Sequence, residues 1–239
     1  QYNIFLIVGI VIVLTAIFIA VFCPIITKYD PLLVNVKERI TAPTGQHKLG
    51  TDEMGRDVLS RMFFGVRASM IIGVSVAIIS TVAGIIVGVI AGYYKKVDNA
   101  LMRILDGVMA FPSIIIAIAL AGILGTGKIN IIIALSVAYF PTMARIVRSS
   151  VLSLRDIEYV QSIKVLGASD AYIIIHHIIP NIISPIIVQM TFIFALAVFD
   201  EAALSYLGVG IRAPEPSLGG MVSDARKYMS VAPWTILYP

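Results

Sequence analysis

Five stretches without a charged side chain constrain this chain more than any other feature of its sequence. A helix needs about 20 apolar residues to cross about 30 Å of hydrocarbon, and four of the stretches are long enough. Charged residues make up only 13% of the chain, against roughly 25% in an average soluble domain. The pattern predicts an all-α, polytopic membrane helical bundle and excludes a soluble core. The five stretches are Gln1–Thr27, Ala68–Tyr94, Gly107–Gly127, Ile129–Ala144 and Ile178–Phe199.

The boundaries of the spans follow from these stretches and from the prolines beside them. We expect a first span over residues 1–24 that ends at Pro24, then a polar connector over 25–67. The segment Gly208–Met229 is predicted to be an ordered loop, and the apolar end Val231–Pro239 the first turns of a sixth span. The predicted spans are Ile4–Phe22, one within Ala68–Tyr94, Gly107–Leu124 with a kink at Phe111-Pro112, Ile129–Val147 with Pro141 inside and help from Ile146 and Val147, and Ile182–Phe199.

Small residues recur every four positions in the second predicted span. Ser80, Gly84, Gly88 and Gly92 therefore share one face of a helix. Small side chains at this spacing let a neighbouring membrane helix approach closely. The stripe predicts helix packing rather than catalysis.

A polar insert, Arg155–Asn181, separates the fourth and fifth predicted spans and is longer than a simple turn requires. Gly167 is a good helix stop, Ser169 or Asp170 can cap a second short helix, and Pro180 is expected to end that helix. A helix–glycine–helix elbow outside the membrane suits a docking surface for a soluble partner. One apolar stripe marks its first helix, over residues 156–166: Tyr159, Val160, Ile163 and Leu166.

Two adjacent carboxylates, Asp200 and Glu201, follow the uncharged stretch Ile178–Phe199. Two such charges at the bilayer centre would cost roughly 5–7 kcal/mol. We therefore expect them near the membrane end or beside a wet cavity. They are candidates for a pathway or extracytoplasmic contact, and a salt bridge or a helix-end contact is the structural alternative.

A phosphate-binding loop is the nearest nucleotide motif in the sequence. Gly122, Gly127 and Lys128 have its spacing, but Ile129 replaces the hydroxyl residue that would bind Mg²⁺. The glycines also follow a membrane span rather than a strand. The segment is predicted to be a tight turn without nucleotide.

Other chemistry finds little support in the sequence. His176 and His177 would point about 100° apart on a helix, which is poor geometry for one metal, and His47 lies far away. Cys23 is the only cysteine, so the chain has no internal disulfide and no cysteine metal site. Lys and Arg are scattered, which argues against nucleic acid, and no nucleophile motif predicts a catalytic residue.

Three segments resemble one family of transporters. Gln161-Ser162-Ile163, then Gly167 and Ile179-Pro180, look like the EAA loop of ABC-importer permeases, although the family's pattern begins Glu-Ala-Ala. His47–Arg61 resembles the H-x-L-G-T-D-x-x-G-R-D segment of the C-type permeases of dipeptide, oligopeptide and nickel importers. Glu201–Gly210, followed by Pro214 and Pro216-Ser217, resembles the same branch.

The resemblance implies the type I ABC importer permease fold, with five spans and the start of a sixth present. It implies an extracytoplasmic connector over 25–67 and a core over 68–239 with a cytoplasmic coupling loop, 155–181, which settles a sidedness that charge counting leaves open. The residues expected to couple to an ATPase are Tyr159, Val160, Gln161, Ile163, Leu166, Gly167, Ala168 and Pro180.

The resemblance also implies partners and a location. These are a homologous permease subunit in a heterodimer, two ATP-binding subunits that hold ATP and Mg, an extracytoplasmic solute-binding protein and the lipid bilayer of a prokaryotic cell membrane. The chain itself would bind no cofactor and hydrolyse no ATP. Di- and oligopeptides are the expected substrates, with nickel or another small solute as the alternative. A stand-alone secondary transporter or channel is more remote, and an intramembrane enzyme more remote again.

Overall fold

A computed structural model describes residues 4–239, except for the side chain of Phe5. Within that range the only β contact is an isolated bridge between Thr51 and Asp57, so the all-α prediction is confirmed. The single-turn segments are 3₁₀ at Val36–Glu38, Ile179–Ile182 and Arg226–Tyr228, and π at Ile174–Ile178. The α-helices are α1 (Ile4–Ile26), α2 (Val58–Tyr93), α3 (Lys95–Met109), α4 (Ser113–Leu124), α5 (Lys128–Arg155), α6 (Glu158–Val165), α7 (Asp170–Ile173), α8 (Ile183–Tyr206), α9 (Leu218–Ala225) and α10 (Trp234–Leu237).

Four helical stretches in the described part of the chain are long and apolar enough to cross a membrane, or five if a bent pair counts as one. The four candidate spans are α1, α2, α5 and the continuous helical stretch Asp170–Tyr206. The bent pair is α3 and α4, which meet at 84°. The predicted kink at Phe111-Pro112 is confirmed, but it is a full break, so the predicted span Gly107–Leu124 is divided between the end of α3 and α4. Pro112 lies in the break, and the 12 residues of α4 span only about 18 Å.

The sequence predicted that Pro24 and Pro180 end their helices, and both predictions are wrong. Pro24 lies inside α1, where the amide it lacks leaves the carbonyl of Ala20 free. The thiol of Cys23 donates to that carbonyl at 3.7 Å. Before Pro180 the chain widens into the π turn, in which the Ile179 amide bonds to Ile174. The helix then continues through a 3₁₀ turn into α8.

Two helices extend well beyond the uncharged stretches. α2 begins at Val58, because Asp57 caps it by accepting the amide of Ser60 at 2.8 Å. Its 36 residues are about 54 Å long, more than a bilayer's hydrocarbon requires. α5 continues to Arg155. The predicted loop Gly208–Met229 contains α9, which Ser217 caps by accepting the amide of Gly220 at 3.0 Å.

The glycines before α5 form a turn, as predicted. Gly125 and Gly127 adopt φ angles of +84° and +142° between α4 and α5. Lys128 pairs with Glu215, with 2.9 Å between Nζ and Oε2. Its ammonium group therefore forms an ion pair within its own chain.

The described residues divide into two compact units. One comprises the chain up to Gly73 together with Ala121–Ile131 and Val198–Pro239, and the other comprises Val74–Leu120 and Ile132–Ala197. The second unit carries the four-residue stripe and the polar insert, and the first carries Asp200 and Glu201.

In the second unit α2 and α5 pack directly along the small-residue stripe. The Ser80 hydroxyl donates to the carbonyl of Ser136 at 3.3 Å. A Cβ atom built on Gly88 would lie 2.5 Å from the carbonyl oxygen of Ala144. On Gly92 it would lie 2.7 Å from Cβ of Val151, and on Gly84 it would overlap Met143. Even one methyl group at these positions has no room.

Candidate functional site

The polar insert folds as two helical arms around Gly167. The first arm is α6, with Leu166 as its C-cap. Gly167 has φ +88° and its amide donates to Lys164 at 3.1 Å, while the amide of Ala168 donates to Ile163 at 3.3 Å. These two bonds form a Schellman motif. Gly167 therefore stops the helix as predicted, and it does so with a φ that only glycine adopts at little cost.

The second arm begins at α7. Ser169 is its cap, accepting the amide of Tyr172 at 3.3 Å. Asp170, the other predicted cap, accepts the hydroxyl of Tyr93 at 2.7 Å and lies 3.6 Å from the ammonium of Lys164. The elbow is thus held against the end of α2.

The apolar stripe of α6 does not face one way. Val160 is 2% exposed, so it packs against its own chain. Tyr159 is 42% exposed and Leu166 85%, with Ile163 half-buried between them. Val165, which the stripe did not include, is 86% exposed. The end of α6 is therefore an exposed apolar surface of the elbow.

Gln161 binds the elbow to its base rather than reaching outward. Its amide nitrogen donates to the carbonyl of Arg155 at 2.8 Å. The guanidinium of Arg155 in turn donates to the carbonyl of Gly92 at 2.6 Å. A glutamate, with which the EAA pattern begins, would have no donor for that carbonyl when ionised. Gln161 therefore links α6 to the end of α5.

The second arm is braced by aromatic and amide side chains beside Pro180, which is itself exposed. The Asn181 amide donates to the carbonyl of His177 at 2.6 Å, and the Tyr159 hydroxyl donates to the same carbonyl at 3.4 Å. His176 stacks on Tyr172 with ring centroids 4.5 Å apart. Both histidines are engaged in packing, and among residues 4–239 no group of three metal-ligating side chains comes together.

Glu201 is fully buried, in the first unit. Its two carboxylate oxygens accept the hydroxyls of Ser69 at 2.5 Å and of Ser205 at 2.8 Å. Ser205 also accepts the amide of Ile211 at 3.2 Å. The cluster links α2, α8 and the turn after α8. This geometry favours a structural role for Glu201. Asp200 is 6% exposed.

The segment Gly50–Arg61, which lies within the stretch that carries the family resemblance, forms a buried polar network. The Arg56 guanidinium donates to Asp52 at 2.6 Å, and Arg61 lies 3.4 Å from the same carboxylate. Gly55, at φ +74°, packs on the backbone of Asn35 where a Cβ would overlap. The spacing of opposite charges and glycines is the signal that could have predicted this network.

Two further contacts tie this network to its surroundings. Trp234 donates to the carbonyl of Thr51 at 3.3 Å, which joins α10 to the connector. His47 lies 2.9 Å from Asp57, the cap of α2. Burial, and then the nearby charge of Asp52, raises the pKa of the Glu53 carboxyl. The connector is therefore an ordered polar core that sets the start of α2.

Comparison with known proteins finds one matching family and several similar transport permeases. Residues 80–238 match the profile of a family described as "Binding-protein-dependent transport system inner membrane component". The chain is 41% identical to the dipeptide transport system permease protein DppC of Alkalihalophilus pseudofirmus, over 98% of this chain and 77% of that protein. It is 38% identical to the oligopeptide transport system permease protein OppC of Bacillus subtilis, over 97% and 76%. It is 35% identical to the glutathione transport system permease protein GsiD of Pectobacterium atrosepticum, over 82% and 66%.

Proposed function

The chain belongs to the family of binding-protein-dependent transport system inner membrane components, and from this premise we propose that it is the membrane-spanning permease subunit of an ATP-driven peptide importer. Its relatives are named as permeases for dipeptides, oligopeptides and glutathione. These names favour di- and oligopeptides over nickel as the substrate. Membership of the family also argues against a stand-alone channel and against an intramembrane enzyme.

We propose that the chain has the type I importer fold, with five spans and the start of a sixth. The third crossing would be made by the α3–α4 pair, with α4 entering the bilayer and α3 at its surface. The connector over 25–67 would lie outside the cell, and the core over 68–239 would carry the coupling loop 155–181 in the cytoplasm. A homologous permease would complete a heterodimer, and a solute-binding protein would deliver the peptide from outside.

The observation that carries the coupling mechanism is the exposed end of α6 on a braced elbow. Val165 and Leu166 project from a loop whose base is fixed through Arg155, Gln161 and Asp170. Two ATP-binding subunits would hold ATP and Mg²⁺, and one would receive this apolar end. Closure of the ATPase pair on nucleotide would then move the membrane helices between two conformations.

Co-purification with the ATPase subunits tests this proposal. We expect Leu166→Ser to weaken docking about 10- to 100-fold, because burying a leucine contributes about 1.5–3 kcal/mol. Leu33→Ser provides the matched control, since Leu33 is 61% exposed in the connector on the side proposed to face outward. Normal recovery of ATPase subunits with Leu166→Ser would contradict docking through α6. Recovery of no ATPase with the unaltered chain would favour a stand-alone transporter.

A further inference from the structure

The helix α3 combines an exposed apolar strip with two exposed cations at a membrane boundary, and the proposed mechanism uses neither feature. Val97 and Ile104 lie seven residues apart on one face, 39% and 66% exposed. Lys96 and Arg103, also seven residues apart, are exposed on the adjoining face. A helix with this division of faces is suited to the plane of a membrane interface.

The position of α3 relative to α5 fixes it at the level where the membrane ends. Arg145 is the first charged residue after the uncharged run of α5. It pairs with Asp106 at 2.5 Å, and Arg148 binds Asp98 through two bonds of 2.5 and 2.7 Å. These pairs hold α3 beside the end of the apolar part of α5.

The direction of α3 agrees with this level. α4 is almost entirely apolar, and α3 meets it at 84°. If α4 runs across the bilayer, α3 therefore runs nearly parallel to the membrane surface. In that position the strip of Val97 and Ile104 can enter the acyl region while Lys96 and Arg103 remain at the level of the headgroups.

The side-chain charges of α3 that are not paired with α5 are positive. Its two carboxylates, Asp98 and Asp106, are neutralised by the arginines of α5. Between and beside the cations Lys96 and Arg103 lie two small exposed residues, Ala100 and Gly107. A Cβ on Gly107 would meet nothing within 4 Å. The face therefore has both the charge and the open space that a phosphate group requires.

We propose that α3 binds acidic phospholipid of the adjoining leaflet, with the headgroup phosphate between Lys96 and Arg103 and an acyl chain against Val97 and Ile104. The inference depends on the membrane location of the chain and goes beyond the proposed peptide transport. Acidic lipid would then hold α3 at the surface and fix the point from which α4 enters the bilayer.

Lipid retention by the transporter in nanodiscs tests the cation site. The nanodiscs contain equal parts phosphatidylcholine and phosphatidylglycerol, and bound phosphatidylglycerol is measured by native mass spectrometry. We expect Lys96→Gln with Arg103→Gln to lower the affinity for phosphatidylglycerol about thirtyfold, from the usual contribution of each surface cation. The matched control is Lys48→Gln with Lys227→Gln, which removes the same charge from exposed positions of the other unit. Equal retention by the two double variants would overturn the proposal.

A spin label at Ile104 tests the apolar strip without removing a cation. The background is Cys23→Ala, which removes the single native thiol. We expect the label to be accessible to oxygen and shielded from a water-soluble nickel chelate, as a lipid-facing site is. Accessibility to the chelate would show that the strip faces water. Shielding from both reagents would show that a protein subunit covers it, and either result would overturn the lipid assignment.

Discussion

At the scale of single residues, the elbow depends on one backbone angle at Gly167. Its φ is +88°, and a Cβ there would meet nothing within 4 Å. A side chain at this position therefore adds backbone strain without a clash, about 1–2 kcal/mol. We expect Gly167→Leu to reduce the stimulation of ATP hydrolysis by loaded binding protein, measured in reconstituted vesicles, because the two arms of the elbow would no longer keep their angle.

Two variants separate this effect from side-chain bulk. Gly167→Asn should retain most of the stimulation, since asparagine tolerates the left-handed conformation better than leucine does. Gly122→Leu adds the same bulk in open space within α4, at an ordinary φ. Full transport and stimulation in a correctly assembled Gly167→Leu transporter would contradict the role of this glycine in coupling.

The buried carboxylate Glu201 leads to a prediction about stability. Its removal leaves the hydroxyls of Ser69 and Ser205 without their acceptor in an apolar site, which costs about 1–3 kcal/mol. We expect Glu201→Leu to lower the thermal unfolding midpoint in detergent, and Glu201→Gln, which keeps one acceptor oxygen, to lower it less. Ser153→Ala is the control, because that hydroxyl is exposed on α5. An unchanged midpoint with altered transport would instead place Glu201 on the solute pathway.

At the scale of helices, the prolines show what sequence reasoning can and cannot predict here. Uncharged stretches identified α1, α2, α5 and α8 because an apolar run of that length has few alternatives. The helix continues past Pro24, Pro141 and Pro180 but breaks at Pro112. Whether a helix continues past proline depends on how the freed carbonyl is satisfied, as by the Cys23 thiol at Ala20. That depends on local geometry that hydropathy does not encode.

The elbow shows the same division between local and tertiary information. Gly167 and Ser169 were predictable, because a helix stop and a helix cap are local signals. The inward position of Val160 was not, since apolar spacing cannot tell a face that packs on its own chain from one that awaits a partner. The carbonyl that Gln161 binds is likewise fixed by the fold of the whole insert.

The small-residue stripe gives a prediction at the scale of a helix pair. In Gly88→Ala the new methyl group would lie 2.5 Å from the backbone oxygen of Ala144, which cannot move aside as a side chain could. We expect overpacking to cost about 1–3 kcal/mol, seen as a lower unfolding midpoint. Gly122→Ala, where a Cβ meets nothing within 4 Å, should be neutral or stabilising. Equal unfolding midpoints for the two variants would contradict close packing of α2 against α5 at Gly88.

At the scale of the whole molecule, the number of crossings determines which segments face the same side. The connector over 25–67 and the loop 155–181 are separated by α2, by the α3–α4 pair and by α5. If the bent pair crosses the membrane, three crossings place the connector and the loop on opposite sides. If it returns to the side from which it came, only two crossings remain and both segments share a side. Whether the bent pair crosses the membrane therefore decides whether the proposed binding-protein side and the proposed ATPase side are distinct.

Single cysteines in the connector and in the loop test this arrangement directly. The background is Cys23→Ala, and the variants are Thr44→Cys and Asp156→Cys, both at exposed positions. We expect a membrane-impermeant maleimide to label Thr44→Cys in intact spheroplasts and to label Asp156→Cys only in inverted vesicles, because an odd number of crossings separates them. Unaltered chain, whose Cys23 is 0% exposed, serves as the control for labelling of buried thiols. Labelling of both variants from one side would mean that α3 and α4 form a re-entrant pair, and the proposed third span would then be wrong.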